Sequence, residues 1–317
     1  MSDDPLEPQW SSSIEYGLWL PNRLAPFRDG TVASLVPADC EAYARLLHPV
    51  STPQHNDRLV RWAEVAAWSG LELTPTAQFE SIAMGPGSPR SDLLWEGQGP
   101  REGSLYVADA EVLASTLRQL TSTREPCWFG LWSGYGPHRG CYGPEFELDS
   151  REYYIFAGPV EHAFTTTLTT QEDHTPNLWW PENQSWFVAT EIDLQSTYVG
   201  GSRSLIAQLV DTSRIEALEV AVTDRIAVEP EPWLQQLAER AAGELIEDGV
   251  CEFETTLGTV TAELQRSRRR GRWGFHYRCE MSSSNCSGGG PIVASNGEDL
   301  HRQLEQRLAR SAIRLAH

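Results

Sequence analysis

The chain has 317 residues, 40% of them hydrophobic, and a formal net charge of -19. That length can bury one large core or two smaller ones, and no run approaches the roughly 18 consecutive apolar residues of a membrane-spanning helix. Every basic residue is an arginine, which excludes Schiff-base catalysis and phosphate-loop lysine chemistry.

The N-terminal residues MSDDPLEPQWSSS are polar, acidic and proline-containing. They predict a disordered tail over 1–13 with neither the basic nor the apolar region of a signal peptide, so a cytoplasmic protein is expected. TVASLVP (31–37) reads as a strand and ADCEAYARLLH (38–48) as a helix stopped by Pro49. DRLVRWAEVAAW (57–68) puts Leu59, Trp62, Ala63 and Ala66 on one helical face. In TPTAQFESIA, Thr74 is a candidate N-cap with Pro75 at the first helical position. A Gly- and Pro-rich loop from Met84 to Gly103 leads to a helix near 109–120, with Val112, Leu113, Leu117 and Leu120 inward.

The pattern then changes from helices to strands. CWFGLWS (127–133), EFEL (145–148), EYYIFAG (152–158), SWFVATEI (185–192) and EALEVAV (216–222) read as strands, with a helix near 202–211. Helices first and strands later predict an α+β fold with a mainly antiparallel sheet. EPEPW (229–233) is a candidate linker. Beyond it the periodicity predicts a helix over 232–247, three or four strand-like runs, and a last helix capped at SNGE (295–298). This gives an α-β-β-β-(β)-α module over 229–317, beside an acidic aromatic-rich domain over 14–228.

Charge separates the same two regions. Residues 250–317 carry ten arginines and seven acids, net +3, leaving fifteen and thirty-seven elsewhere, net -22. The acidic body should repel nucleic acid and anionic membrane. The six cysteines form no CxxC pair, so reduced, mostly buried thiols are expected. A zinc site from Cys251, Cys279 and Cys286 is the alternative.

The stretch NLWWPENQSWFVATEIDLQSTYVGG (177–201) concentrates the candidate chemistry. Strand alternation puts Trp186, Val188, Thr190 and Ile192 on one face, and Phe187, Ala189, Glu191 and Asp193 on the other. Glu191 and Asp193 are then a carboxylate pair able to hold a metal or act as acid and base, or a strand end emerging into solvent. Trp179 and Trp180, before Pro181, read as loop aromatics lining a pocket or partner surface. Gly200, Gly201 and Ser202 before a helix form a generic anion site or ordinary capping. In CWFGLWSGYGPHRGCYGPE (127–145), Trp132, Tyr135 and Tyr142 are candidate anchors of a recognition loop, and His138 with Cys141 is a nucleophilic pair lacking visible activation. His48, His55 and Asp57 have no standard metal spacing. Arg268, Arg269 and Arg270 make a basic turn beside Trp273, Phe275 and Tyr277. It reads as a solubilising turn, a docking element or a nucleic-acid contact.

RWAEVAAWSG, CWFGLWSGYG, REYYIFAGPV and PNLWWPENQSWFVATEIDLQSTYVGGS together resemble a family of uncharacterised actinobacterial Trp-rich proteins over roughly residues 17–222. The resemblance implies a bacterial cytoplasmic origin and carries over no catalytic residue. The expected function is non-enzymatic recognition of a protein or small ligand, one concrete form of which is an antitoxin- or immunity-like binder. The alternatives are a hydrolase or metal-dependent enzyme using Glu191 and Asp193, and a nucleic-acid-associated protein acting through the arginine turn. No cofactor, membrane or catalytic residue is expected.

Overall fold

The structure, a computed structural model, describes residues 8–52, 58–83, 99–119, 126–135, 143–149, 151–165, 174–226, 232–255, 258–266, 272–281, 285–293 and 300–304. It is an α+β protein whose chain divides into two compact units, Met1–Ala227 and Val228–His317.

The strands of the first unit are β1 (Gln9–Trp10), β2 (Ala42–Leu47), β3 (Val50–Thr52), β4 (Arg58–Val60), β5 (Cys127–Trp132), β6 (Glu145–Leu148), β7 (Arg151–Gly158), β8 (Leu178–Pro181), β9 (Phe187–Ala189), β10 (Ser196–Gly201) and β11 (Ala217–Val220). Among the described residues β3 and β4 pair alone, and the rest form one nine-stranded sheet in the order β1-β7-β5-β8-β9-β10-β2-β11, with β6 also on β7. Every pairing is antiparallel. The helices are α1 (Trp62–Ser69), α2 (Phe79–Ala83), α3 (Val107–Arg118), α4 (His162–Thr165) and α5 (Arg203–Asp211).

Both faces of this sheet are covered, so its central strands carry apolar residues on both sides. One face packs Phe129, Phe156, Trp179, Trp186, Val188 and Val199 under α3 and α5. The other packs Trp128, Ile155, Trp180, Phe187 and Tyr198 under Leu20, Val32, Leu35 and Val36. Among the described residues that second cover has no α-helix: four short 3-10 turns carry it between Glu15 and Ser34. A third cluster, built on Trp62, Val65, Phe79 and Ile82, joins α1 and α2 to β3 and β4.

The two-sided cover explains where local reading fails. ADCEAYARLLH is the strand β2, not a helix. All six of its strand residues are buried, and Ala42, Ala44 and Leu46 pack on one face while Tyr43 packs on the other. Its alanine and leucine content favours helix, but the place between β10 and β11 overrides that weak preference. TVASLVP is not a strand. Thr31 and Ser34 form a capping box around a 3-10 turn, while Val32 and Ala33 donate to the carbonyls of Asp224 and Val222. Trp179 and Trp180 are strand residues of β8, 0% and 2% exposed, not loop aromatics.

Smaller differences follow the same rule. The strand expected over 185–192 ends at Ala189, and Leu194 N donates to Glu191 O in the turn that follows. Helix 57–68 begins only at Trp62, and Thr74 accepts from Ala77 N in a turn before α2. Gln9 and Trp10 pair with Ala157 and Phe156 on β7 and are therefore ordered. The strands at 127–132 and 145–148 and the helix capped by Ser202 agree with the sequence reading.

In the second unit, α6 (Pro232–Asp248) precedes β12 (Val250–Thr255), β13 (Gly258–Arg266), β14 (Arg272–Met281) and β15 (Asn285–Val293). These strands form a four-stranded antiparallel sheet in chain order. Helix α6 packs on β12 and β13, and Ala241, Ala242, Leu245, Ala262, Ile292, Leu300 and Leu304 are buried. The turn Arg268–Arg270 lies outside the described residues, as do His55, Asp57, His138, Cys141 and Tyr142.

Trp186 is 1% exposed among the residues under α5. Trp186→Ala is expected to cost about 3–5 kcal/mol, the usual range for truncating a buried aromatic. Denaturant melts check this, and the midpoint should fall at unchanged slope.

Candidate functional site

One end of the large sheet gathers the polar residues that its two apolar faces exclude. The end of β5, the starts of β7, β8 and β10, and the residues just after β2 and β9 meet there. Strand ends bring unpaired backbone groups, and where those are buried, side chains must satisfy them.

Asn177, 0% exposed, does most of this. Its Oδ1 accepts from Trp132 N at 2.9 Å. Its Nδ2 lies 3.1 Å from Gly103 O, 3.0 Å from Thr190 O and 3.0 Å from Tyr135 Oη. Its backbone donates to Gly130 O and accepts from Thr190 N. Tyr135 Oη donates to Gly103 O at 2.6 Å, and burial pushes the phenol above its ordinary range. Gly103 has φ +72° and no room for a side chain, because a Cβ would sit 2.8 Å from both Ile192 O and Tyr135 Oη. The ring of Tyr135 stacks on His174 at 3.7 Å between centroids and meets Trp132 edge-on at 5.1 Å. Trp132 and Tyr135 thus belong to one ordered aromatic group.

Glu191 and Asp193 do meet, but around a cation. Arg151 Nη2 lies 3.0 Å from Glu191 Oε1 and 2.9 Å from Asp193 Oδ2. The side chains of Arg151, Glu191 and Asp193 are 17%, 6% and 26% exposed, so Glu191 does not emerge into solvent. Burial alone would lower the guanidinium pKa, but the two carboxylates outweigh it and hold it above its ordinary value. A carboxylate pair bridged by arginine is poorly placed for proton transfer or metal binding, since either use requires displacing a buried ion pair.

His48 is fully buried at the same sheet end. Nδ1 lies 2.7 Å from Arg101 O, and Nε2 lies 2.9 Å from Thr197 Oγ1, which in turn is 2.7 Å from Thr190 Oγ1. The Arg101 carbonyl can only accept, so Nδ1 carries the proton and Nε2 accepts from the threonine. Burial lowers the pKa to about 4. Neutral His48 thus ties the 101–103 segment to β10.

The Gly200-Gly201 pair closes β10 and is not a phosphate loop. A Cβ on Gly200 would come 2.8 Å from Cys40 Sγ, and one on Gly201 would come 2.7 Å from Leu205 Cδ2. The glycines let the strand pass close to Cys40 and α5. Ser202 Oγ accepts from Leu205 N at 3.3 Å, and Glu41 accepts from Arg203 N at 3.2 Å, so the protein's own groups satisfy that helix start. The Cys40 thiol, pushed up to about 11 by burial, is no nucleophile at neutral pH.

Among the expected site residues, Trp132, Tyr135, Glu191 and Asp193 meet at this sheet end. Trp179 and Trp180 lie in the core on opposite faces, and Gly200, Gly201 and Ser202 belong to the packing of α5. Sequence reading missed Asn177, Arg151 and Gly103 as organisers. The signal for Asn177 was a polar residue after Pro176, opening a strand otherwise wholly apolar. No protein-family model, curated protein or solved structure matches the chain.

Two outcomes follow from this geometry. Arg151→Met takes the bridging cation away from the buried Glu191 and should cost about 3–5 kcal/mol, while Arg151→Met with Glu191→Met should recover most of that loss; urea melts of the single and double variants measure it. For His48, the folded pKa of about 4 lies below the unfolded value near 6.5. The unfolded chain therefore takes up the proton first as pH falls, and stability declines between about pH 6.5 and 4, by up to about 3 kcal/mol. Melts across that window should show a flatter decline in His48→Gln.

Proposed function

We propose that the first unit is a non-enzymatic recognition module. It takes a protein or small ligand at the sheet end around Trp132, Tyr135 and Asp193. Its concrete form is an antitoxin- or immunity-like binder of a basic partner, in keeping with the net charge of -22 outside residues 250–317. The same reading assigns the protein to a bacterial cytoplasm and to an actinobacterial Trp-rich family. It takes residues 229–317 as an appended α-β-β-β-(β)-α module.

The observation that carries the proposal is the commitment of the reactive groups. Glu191 and Asp193 share Arg151, His48 is held neutral between a carbonyl and a hydroxyl, and the Cys40 thiol stays protonated. Beside them Trp132, half-buried, and Asp193, 26% exposed, present an aromatic surface and a carboxylate on a backbone fixed by Asn177. Rigid aromatics beside charge suit a binding hot spot better than a reaction centre.

The test is native mass spectrometry of the gently purified full chain, beside Trp132→Ala and Asp193→Asn. Wild type should retain a partner or small molecule that both variants lose, with at least about tenfold weaker binding at a temperature where circular dichroism shows both variants folded. Stoichiometric metal or hydrolytic turnover, abolished in Glu191→Gln and Asp193→Asn, would instead establish the alternative of an enzyme using these carboxylates.

A further inference from the structure

In the second unit, Cys279 on β14 stands directly opposite Cys286 on β15. Directly opposed residues of an antiparallel pair have Cα atoms about 4.5 or 5.5 Å apart, depending on their place in the hydrogen-bond ladder. Both values fall within the roughly 4.4–6.8 Å that a disulfide spans. The strand register therefore brings together two cysteines that six residues of sequence separate.

Three further placements make this pair distinctive. It is the second rung from the end of the hairpin, after Glu280 opposite Asn285. Strand β15 is at the edge of the four-stranded sheet among the described residues, where local opening costs least. The same strand continues as Ser287, Gly288, Gly289, Gly290 and Pro291, a run with almost no side chains to specify its pairing. Glycine-rich edge strands hold their register weakly, and a covalent rung would fix it.

Among the described residues the remaining cysteines do not compete. Cys251 stands opposite Ala262, which stands opposite Tyr277, so it is two strand spacings from β14, about 9.6 Å. Cys127 is fully buried in the first unit, and the Cys40 thiol is held protonated.

We propose that Cys279 and Cys286 are a reversible thiol–disulfide pair that locks the β14–β15 hairpin when the surroundings become oxidising. The oxidant is a low-molecular-weight disulfide, RSSR. One cysteine thiolate attacks it, forms a mixed disulfide and releases RS⁻, which takes up a proton. The second cysteine, as its thiolate, attacks the protein sulfur of that mixed disulfide and expels the second RS⁻. Two protein thiols are oxidised to one disulfide, and one RSSR is reduced to two RSH. Transient disulfides of this kind are the form that redox sensing takes in reducing compartments.

The experiment uses the full native chain. It is equilibrated with oxidised and reduced glutathione, quenched with acid, alkylated and digested with trypsin. The chain has no arginine or lysine between Arg278 and Arg302, so one peptide, Cys279–Arg302, carries both cysteines. The expected product is that peptide unalkylated and two hydrogens lighter. Its apparent equilibrium constant should be about tenfold larger in the native chain than in urea, a difference of about 30 mV in reduction potential. Alkylation of both cysteines in the native chain, separate mixed disulfides on each, a bond to Cys251, or equal constants in the native and unfolded chains would each overturn the proposal.

Discussion

The constraint on which the first unit depends is the cost of leaving backbone groups unpaired where a doubly covered sheet ends. Asn177 meets that constraint with one side chain. It fixes the end of β5, the residue after β9 and the 103 segment, and it orients the Tyr135 hydroxyl. Each bond is worth only about 1 kcal/mol net, but an unmet buried group costs about 1–3 kcal/mol. The network is therefore cooperative: removing its centre strands several groups at once. The aromatic group of Trp132, Tyr135 and His174 inherits its order from this amide.

Arginine meets the remaining electrostatic needs because it is the chain's sole permanent cation. Arg61 grips Asp109 with two nitrogens at 2.9 and 3.0 Å, Arg23 grips Asp39, and Arg151 bridges two carboxylates. Arg45 is different. It is 2% exposed and is satisfied by Ser196 Oγ and the carbonyls of Pro75 and Ala77, with its guanidinium 5.3 Å over the Trp62 ring. A planar fork can meet several fixed acceptors and an aromatic face together, which a lysine ammonium cannot. The low net value of ion pairs for stability does not diminish this role, which is to set geometry.

Strands with clear alternation and helices with clear caps were legible in the sequence. Phe187 and Ala189 do pack opposite Trp186 and Val188, and Ser202 does cap α5. What stayed hidden has a common cause. Burial on both faces erases alternation, so β2 and β8 lose the signal that marks a half-buried strand. The site suffers the same loss in another form. Glu191 and Asp193 were visible as a pair, but Arg151 lies forty residues earlier, and its role depends on where β7 begins. Gly103 and Tyr135 were visible singly, and only the fold shows that they touch.

The helix-free cover of the second sheet face has a consequence for biosynthesis. It is anchored at both ends of the unit: Val32 and Ala33 donate to Asp224 and Val222, Ile226 donates to Gly30, and Thr31 bridges Arg225. These contacts join parts of the chain nearly two hundred residues apart, and at roughly 5–20 residues per second a ribosome needs on the order of 10–40 seconds to connect them. Until residue 226 has left the exit tunnel, the cover cannot be completed, and Trp180, Phe187 and Tyr198 lack part of their lid. The nascent chain therefore passes through an interval in which a broad aromatic surface is open to water and to its neighbours. Such non-local closure is slow, so this face is among the last parts of the unit to be sealed.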